Sequence, residues 1–167
     1  MSPVSDNRNR RHNEEAGTAQ VNEIYLPDEY YYDPKDHLWS RVEGGRVRIG
    51  LDQFGQKAAG TVAYIKLLPV GKQVLKGRAF GSLEAGKYIG PLKAQVSGRI
   101  AEVNPEVLAE PTLVNTDPYG RGWFVVMEPS NLTADLQDRI QGAEVIQAWL
   151  EAESQEYAAK GLFAEDQ

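Results

Sequence analysis

The sequence contains no cysteine, which excludes disulfide frameworks, thiolate zinc sites and cysteine nucleophiles together. Histidine is almost as scarce. His12 and His37 are the only two, too few for a histidine-rich metal centre and poor material for a Ser-His-Asp arrangement. No apolar run approaches the roughly 18 residues that a membrane span needs. The N-terminus lacks the charged-then-apolar pattern of a secretory leader, so the expected setting is cytoplasmic, without membrane contact. The scattered glycines never form a phosphate-cradling loop, and acids such as Glu102 and Glu106 have no defined mutual geometry. Neither a catalytic residue nor a metal ligand is therefore assigned.

The charge that is present is unevenly placed. The formal net charge is −6 over 167 residues, and from residue 131 onward eight acids face two bases. That segment carries the whole excess, while the first 130 residues are neutral. Such a segment reads first as a solvated helix, and second as a partner-facing element that steers docking onto a basic surface. Net acidity argues against nucleic acid as a partner. Monomer is the default oligomeric state.

Residues 1–22 are polar and lack a repeating apolar face, so they predict a mobile arm. The aromatic stretch from Ile24 to Trp39 is interrupted by Pro27 and Pro34, which suits an irregular passage across a sheet. Val47, Ile49 and Leu51 then alternate with Arg46, Arg48 and Gly50, the period of a half-buried strand, and Gly44-Gly45 before them marks a hairpin. Asp52 opens DQFGQKAAG, a short helix with an N-cap acceptor and Gly60 as its stop. Further strands are expected in TVAYIKL, QVL, FGSLEA, KAQVSGRIAEV and GWFVVME, a pattern of short strands that points to a sandwich or small barrel. Trp39, Phe54 and Trp123 are assigned to its packing. Gly60 to Ile65 and Gly98 to Val103 share the pattern Gly, x, β-branched, Ala, x, β-branched, which implies two related half-sheets. After residue 131, Leu132, Leu136, Ile140, Ala143, Ile146 and Leu150 form an amphipathic stripe, extended by Trp149 and Tyr157, with Gly142 a candidate break. The division is an arm at 1–22, a body at 23–130 and an acidic helical segment at 131–167.

Within the apparent hairpin FGSLEAGKYIGPLKAQVSG, Gly86 and Gly90 bracket Lys87, and tight turning with positive φ is expected of them. On spacing alone, a lone lysine at such a tip is a solubilising charge.

From about Tyr32 to Glu128 the chain resembles the lipoyl carriers of glycine cleavage, the H proteins. The motifs that carry the resemblance are KDHLW, IGLDQFGQKAAGTVAYIKLLPVG, VSGRIAEVN and LVNTDPYGRGW, in that order. The resemblance implies a mainly β fold with peripheral helices: a lipoyl-domain-like barrel-sandwich hybrid followed by a helical C-terminal segment. It also assigns a lipoyl lysine. Lys87 follows Glu84-Ala85-Gly86 where the family has Glu-Ser-Val, it precedes Gly98 by the family's eleven positions, and Lys93 lacks that register. Glu84, Gly86, Tyr88, Gly90 and Gly98 are then hairpin and ligase-recognition positions. A biotin site would place methionine on both sides of the lysine, and Gly86 and Tyr88 do not fit it. The implied protein is a non-catalytic carrier with covalent lipoate on Lys87, served by a lipoate ligase or lipoyl transferase. Its sulfur chemistry is imported with the cofactor. His37 is assigned a structural partner near the N-terminal strand, with contact to the docked arm as the alternative.

The tip departs from the family's Lys-Ala-Ala-Ser. Glu84-Ala85-Gly86-Lys87-Tyr88-Ile89-Gly90-Pro91 is similar to Glu-Ser-Gly-Lys-Trp-Val-Gly-Pro in H-like lipoate-binding proteins of the heterodisulfide-reductase-like sulfur oxidation pathway. This favours a carrier of sulfur intermediates between a heterodisulfide-reductase-like complex and sulfurtransferases. The alternative is a carrier of the aminomethyl group among glycine cleavage components. An unmodified interaction domain is the third reading.

Overall fold

The computed structural model describes residues 17–161. It opens with a hairpin, β1 (Thr18–Val21) against β2 (Ile24–Pro27), so the last residues of the span read as a mobile arm form a strand. The rest of that arm, residues 1–16, lies outside the described residues. The aromatic stretch is more regular than its prolines imply, since Pro27 ends β2 and Pro34 falls in the turn between β3 (Tyr31–Tyr32) and β4 (Leu38–Glu43). Gly44 and Gly45, at φ +56° and +83°, make the two-residue turn into β5 (Arg46–Leu51), where positive φ at both positions matches the twist of the paired strands. Next comes helix α1 (Gln53–Ala59). Asp52 caps it by accepting from the Gly55 N–H, and Gly60 at φ +86° ends it.

The chain continues through β6 (Val62–Leu67), β7 (Gln73–Val74), β8 (Ala79–Ala85), β9 (Ile89–Lys93), β10 (Gly98–Val103), two short helices α2 (Pro105–Ala109) and α3 (Leu113–Thr116), and β11 (Val125–Pro129). Two antiparallel sheets result, a six-stranded one in the order β3-β4-β5-β11-β10-β7 and a three-stranded one in the order β6-β8-β9. Val47, Ile49, Phe80, Leu83, Ile100, Phe124 and Met127 are buried in the core that unites them, the principal source of stability in such a layered fold. The mainly β fold with a helical C-terminal segment is the expected one.

KAQVSGRIAEV is not one strand. Its residues Ala94, Gln95 and Val96 are buried where the chain leaves the three-stranded sheet for the six-stranded one. The two repeated segments lie in different sheets, and each has its alanine, Ala63 or Ala101, at a register shift in its ladder. The shared pattern is thus a shared bulge, which bends each strand at an equivalent place.

The C-terminal stripe divides into α4 (Leu132–Leu136) and α5 (Ala143–Ala159). Gly142 marks the break at φ +94°, and just before it Ile140 exchanges backbone hydrogen bonds with Tyr32 at 2.9 Å each way. Ile146 and Leu150 of α5 belong to a second apolar cluster with Leu26, Tyr32, Trp39 and Phe54, separate from the inter-sheet core. Trp123 is half-buried beneath the Arg48 guanidinium, 4.3 Å from its ring centroid. Among the described residues no helix is long and apolar enough to cross a membrane.

Candidate functional site at the Lys87 hairpin tip

Strands β8 and β9 pair Ser82 with Pro91, Leu83 with Gly90 and Glu84 with Ile89. That register leaves Lys87 at the apex, exposed, with the Ala85 N–H closing the turn onto the Tyr88 carbonyl at 2.7 Å. The tip also leans on the end of α1. The Lys87 N–H donates to the Ala59 carbonyl at 2.8 Å, and the Gly86 N–H to that of Thr61 at 3.1 Å. The lysine is exposed while its backbone is held.

The flanking glycines act differently from expectation, for neither Gly86 nor Gly90 has positive φ. Gly90 instead makes room for the Tyr88 ring, which a Cβ there would strike, and the Tyr88 hydroxyl donates to the Pro91 carbonyl at 3.2 Å. Burial, with a smaller contribution from Asp36, raises the Tyr88 phenol above its ordinary pKa. Ile89 is 75% exposed, so the tip presents one folded-back aromatic and one bare aliphatic side chain. Glu84 is exposed beside it, paired across to Ile89 and Tyr64. Gly98 is not part of this group. It lies in β10, paired with Pro129 and Val74, and a Cβ there would collide with the Glu128 carbonyl oxygen. Its place in the pattern is explained by close strand approach.

A cleft of about 200 Å³ opens beside the lysine, lined by His37, Leu38, Tyr88, Pro91 and Tyr157 among others. His37, at φ +61°, has Nδ1 2.9 Å from Asp52 Oδ2 and Nε2 2.6 Å from Glu153 Oε1. Its ring is stacked between Phe54 and Trp149, with centroids 4.5 and 4.6 Å away. Burial alone would lower its pKa, but the Asp52 carboxylate, and then that of Glu153, outweigh this and raise it to about 9. The ring is therefore an imidazolium at neutral pH, donating from both nitrogens. With both occupied it serves as a fastener between α5 and the body, not as a proton shuttle. The structural partner, expected only as one near the N-terminal strand, is Asp52 at the N-cap of α1, and the second partner, Glu153, was missed. Its signal was the four-residue spacing of Trp149, Glu153 and Tyr157, which places all three on one helical face.

This arrangement suits a covalently attached arm: an exposed amine, a braced backbone below it and a cleft alongside. Comparison with known proteins agrees. The model of the glycine cleavage H-protein family matches residues 30–153. Glycine cleavage system H protein 2 of Aquifex aeolicus (strain VF5) is 42% identical over 123 residues, covering 73% of this chain and 76% of that protein. Glycine cleavage system H protein of Carboxydothermus hydrogenoformans (strain ATCC BAA-161 / DSM 6008 / Z-2901) is 39% identical over 130 residues, covering 78% and 98%. Among solved structures, a glycine cleavage system H protein from Mycobacterium marinum superposes with a TM-score of 0.64 at 29% identity, covering 74% of this chain and 98% of that one. The chain belongs to the glycine cleavage H-protein family, whose members are non-catalytic carriers with lipoate held covalently on a lysine.

Proposed function

We propose that Lys87 is the lipoyl attachment site, and that the chain carries the aminomethyl group of glycine between the components of a glycine cleavage system. One observation supports the site above the others: Lys87 is an exposed lysine at a hairpin apex whose own N–H is hydrogen-bonded to the body. Bound lipoate would supply a dithiol that takes up and releases the carried group by reaction at sulfur. The residues of the chain present its point of attachment. In this reading residues 23–130 are the carrier body, and the acidic segment from residue 131 packs against it. The names of the relatives favour glycine cleavage, which reverses the preference drawn from the tip sequence alone.

A second reading, transfer of sulfur intermediates, is favoured by the tip itself, where Tyr88 and Ile89 stand in place of small residues. Intact-mass analysis of the full chain after incubation with a lipoate–protein ligase, lipoate and ATP is expected to show a single lipoyl adduct. Lys87→Arg should abolish it without changing the circular dichroism spectrum. An adduct that persists in this variant would refute the site. Lipoylated protein is expected to support glycine decarboxylation with the decarboxylase, aminomethyl-transfer and dihydrolipoamide-dehydrogenase components. Failure there, with loading of sulfane sulfur from a sulfurtransferase, would decide for the second reading.

A further inference from the structure

The carbonyls of Ala59, Gly60 and Thr61 divide their work. The outer two accept the Lys87 and Gly86 N–H groups, and the middle one accepts from the Asn115 side chain. Asn115 lies on α3 between the buried Val114 and the turn that leads to Trp123. Its Nδ2 donates to Gly60 O at 2.9 Å and to Gln56 Oε1 at 2.8 Å, while its Oδ1 accepts the Val62 N–H at 2.9 Å. One amide thus ties the last turn of α1, the residue that stops it and the first residue of β6. A carboxamide is suited to this because it offers two donors and an acceptor in one plane.

We propose that Asn115 is a positioning residue for Lys87, acting through the Ala59–Val62 segment; the inference rests on the reading of Lys87 as the attachment site. The carbonyls that end a helix have no partner within it, and here the segment carrying them is centred on a glycine. Left to itself that segment would fluctuate, and the tip hydrogen-bonded to it would follow. The coupling is short. The Lys87 and Gly86 N–H groups bond directly to the carbonyls on either side of Gly60, at 2.8 and 3.1 Å, and even a Cβ added at Gly60 would come within 3.7 Å of the Lys87 nitrogen. Asn115 fixes the middle carbonyl and thereby the direction of the two beside it. A ligase or partner enzyme that must meet the lysine at one place gains from that fixity, because misplacement at the reacting group is expensive in rate.

Asn115→Asp tests this with nearly unchanged shape. The carboxylate still accepts the Val62 N–H, and the Gln56 amide can turn to donate to it, but it has no proton for Gly60 O and repels that oxygen. Native-state hydrogen exchange on the full, unmodified chain is expected to show the Gly86 and Lys87 amides exchanging about tenfold faster, as the loss of one such bond implies. Val47 and Met127, paired across β5 and β11, should keep their rates. Lowering the pH until the new carboxyl is protonated should restore most of the protection, since the acid can again donate. With the ligase, kcat/KM for lipoylation should fall about tenfold. Unchanged exchange at Gly86 and Lys87, or equal acceleration at all four amides, would overturn the proposal. If the original chain is lipoylated elsewhere or not at all, the attachment reading fails, and the exchange rates still decide the brace. Should N115D not fold, Gln56→Leu removes one of the three bonds and is expected to give the same local pattern at about threefold. Absence of that pattern would also overturn the proposal.

Discussion

His37 shows how a single side chain can join distant parts of the molecule. Its imidazolium is shared by Asp52, which also caps α1, and Glu153, which lies on α5. The folded-state pKa of about 9 exceeds the ordinary 6.5, so the folded protein binds the proton more tightly than the unfolded chain does. The resulting stabilisation is fully present below about pH 6.5 and is lost as the pH rises to about 9, on the order of 3 kcal/mol in total. The melting temperature is expected to fall over that interval, and His37→Asn, which tolerates positive φ, should flatten the dependence. An NMR titration midpoint for His37 near 6.5 would show that the two carboxylates do not hold it as described. The need of this histidine for a local partner was legible in the sequence. The identity of Glu153, 116 positions away, was not, because no local pattern encodes which helix face returns to cover a given ring.

At the scale of elements, the legible features were those whose cause is local. The Gly44-Gly45 turn, the Asp52 cap and the Gly60 stop of α1 each act within a few residues, and each is found where expected. The division of KAQVSGRIAEV was hidden because leaving one sheet for another is a tertiary event that keeps residues buried throughout. Glycine at the tip was misjudged for a related reason, since the turn is closed by the Ala85–Tyr88 bond and by support from α1 without positive φ. A paired substitution separates the two kinds of glycine. Gly98→Ala forces a Cβ into the β10–β11 contact and should lower the unfolding free energy by about 2 kcal/mol. Gly86→Ala meets nothing within 4 Å and should stay within about 0.5 kcal/mol of the original. Urea unfolding measures both, and equal effects would contradict the described packing.

For the molecule as a whole, two separate apolar clusters both draw on the six-stranded sheet, one through Val47 and Ile49, the other through Tyr32 and Trp39. One fills the space between the sheets, and the other lies under the β1–β2 hairpin and α5. Ending the chain after Gly142 removes Ile146 and Leu150 from the second and uncovers Leu26, Tyr32 and Phe54. The product is expected to retain its β-sheet circular dichroism, to bind a hydrophobic dye and to self-associate in sedimentation. Loss of the sheets themselves would show that the second cluster is indispensable to the first. Strand count, the alternating pattern and the resemblance carried the overall architecture from sequence. The packing of the acidic segment onto the N-terminal hairpin did not follow from them, because both surfaces are apolar faces whose mutual choice is set by the completed fold.

If Lys87 bears the arm as proposed, its pinned backbone also fixes a concentration. A tether begins where its anchor stops moving, and here the anchor holds up to the nitrogen of the lysine that would bear the arm. Only side-chain torsions and the arm itself then contribute to its length. The local concentration of a tethered group falls roughly as the −3/2 power of tether length once the span is reached. Each residue of hairpin that frayed would lengthen the tether and dilute the cargo at a docked partner's active site. A stiff tip is thus a means of keeping a small swept volume densely occupied.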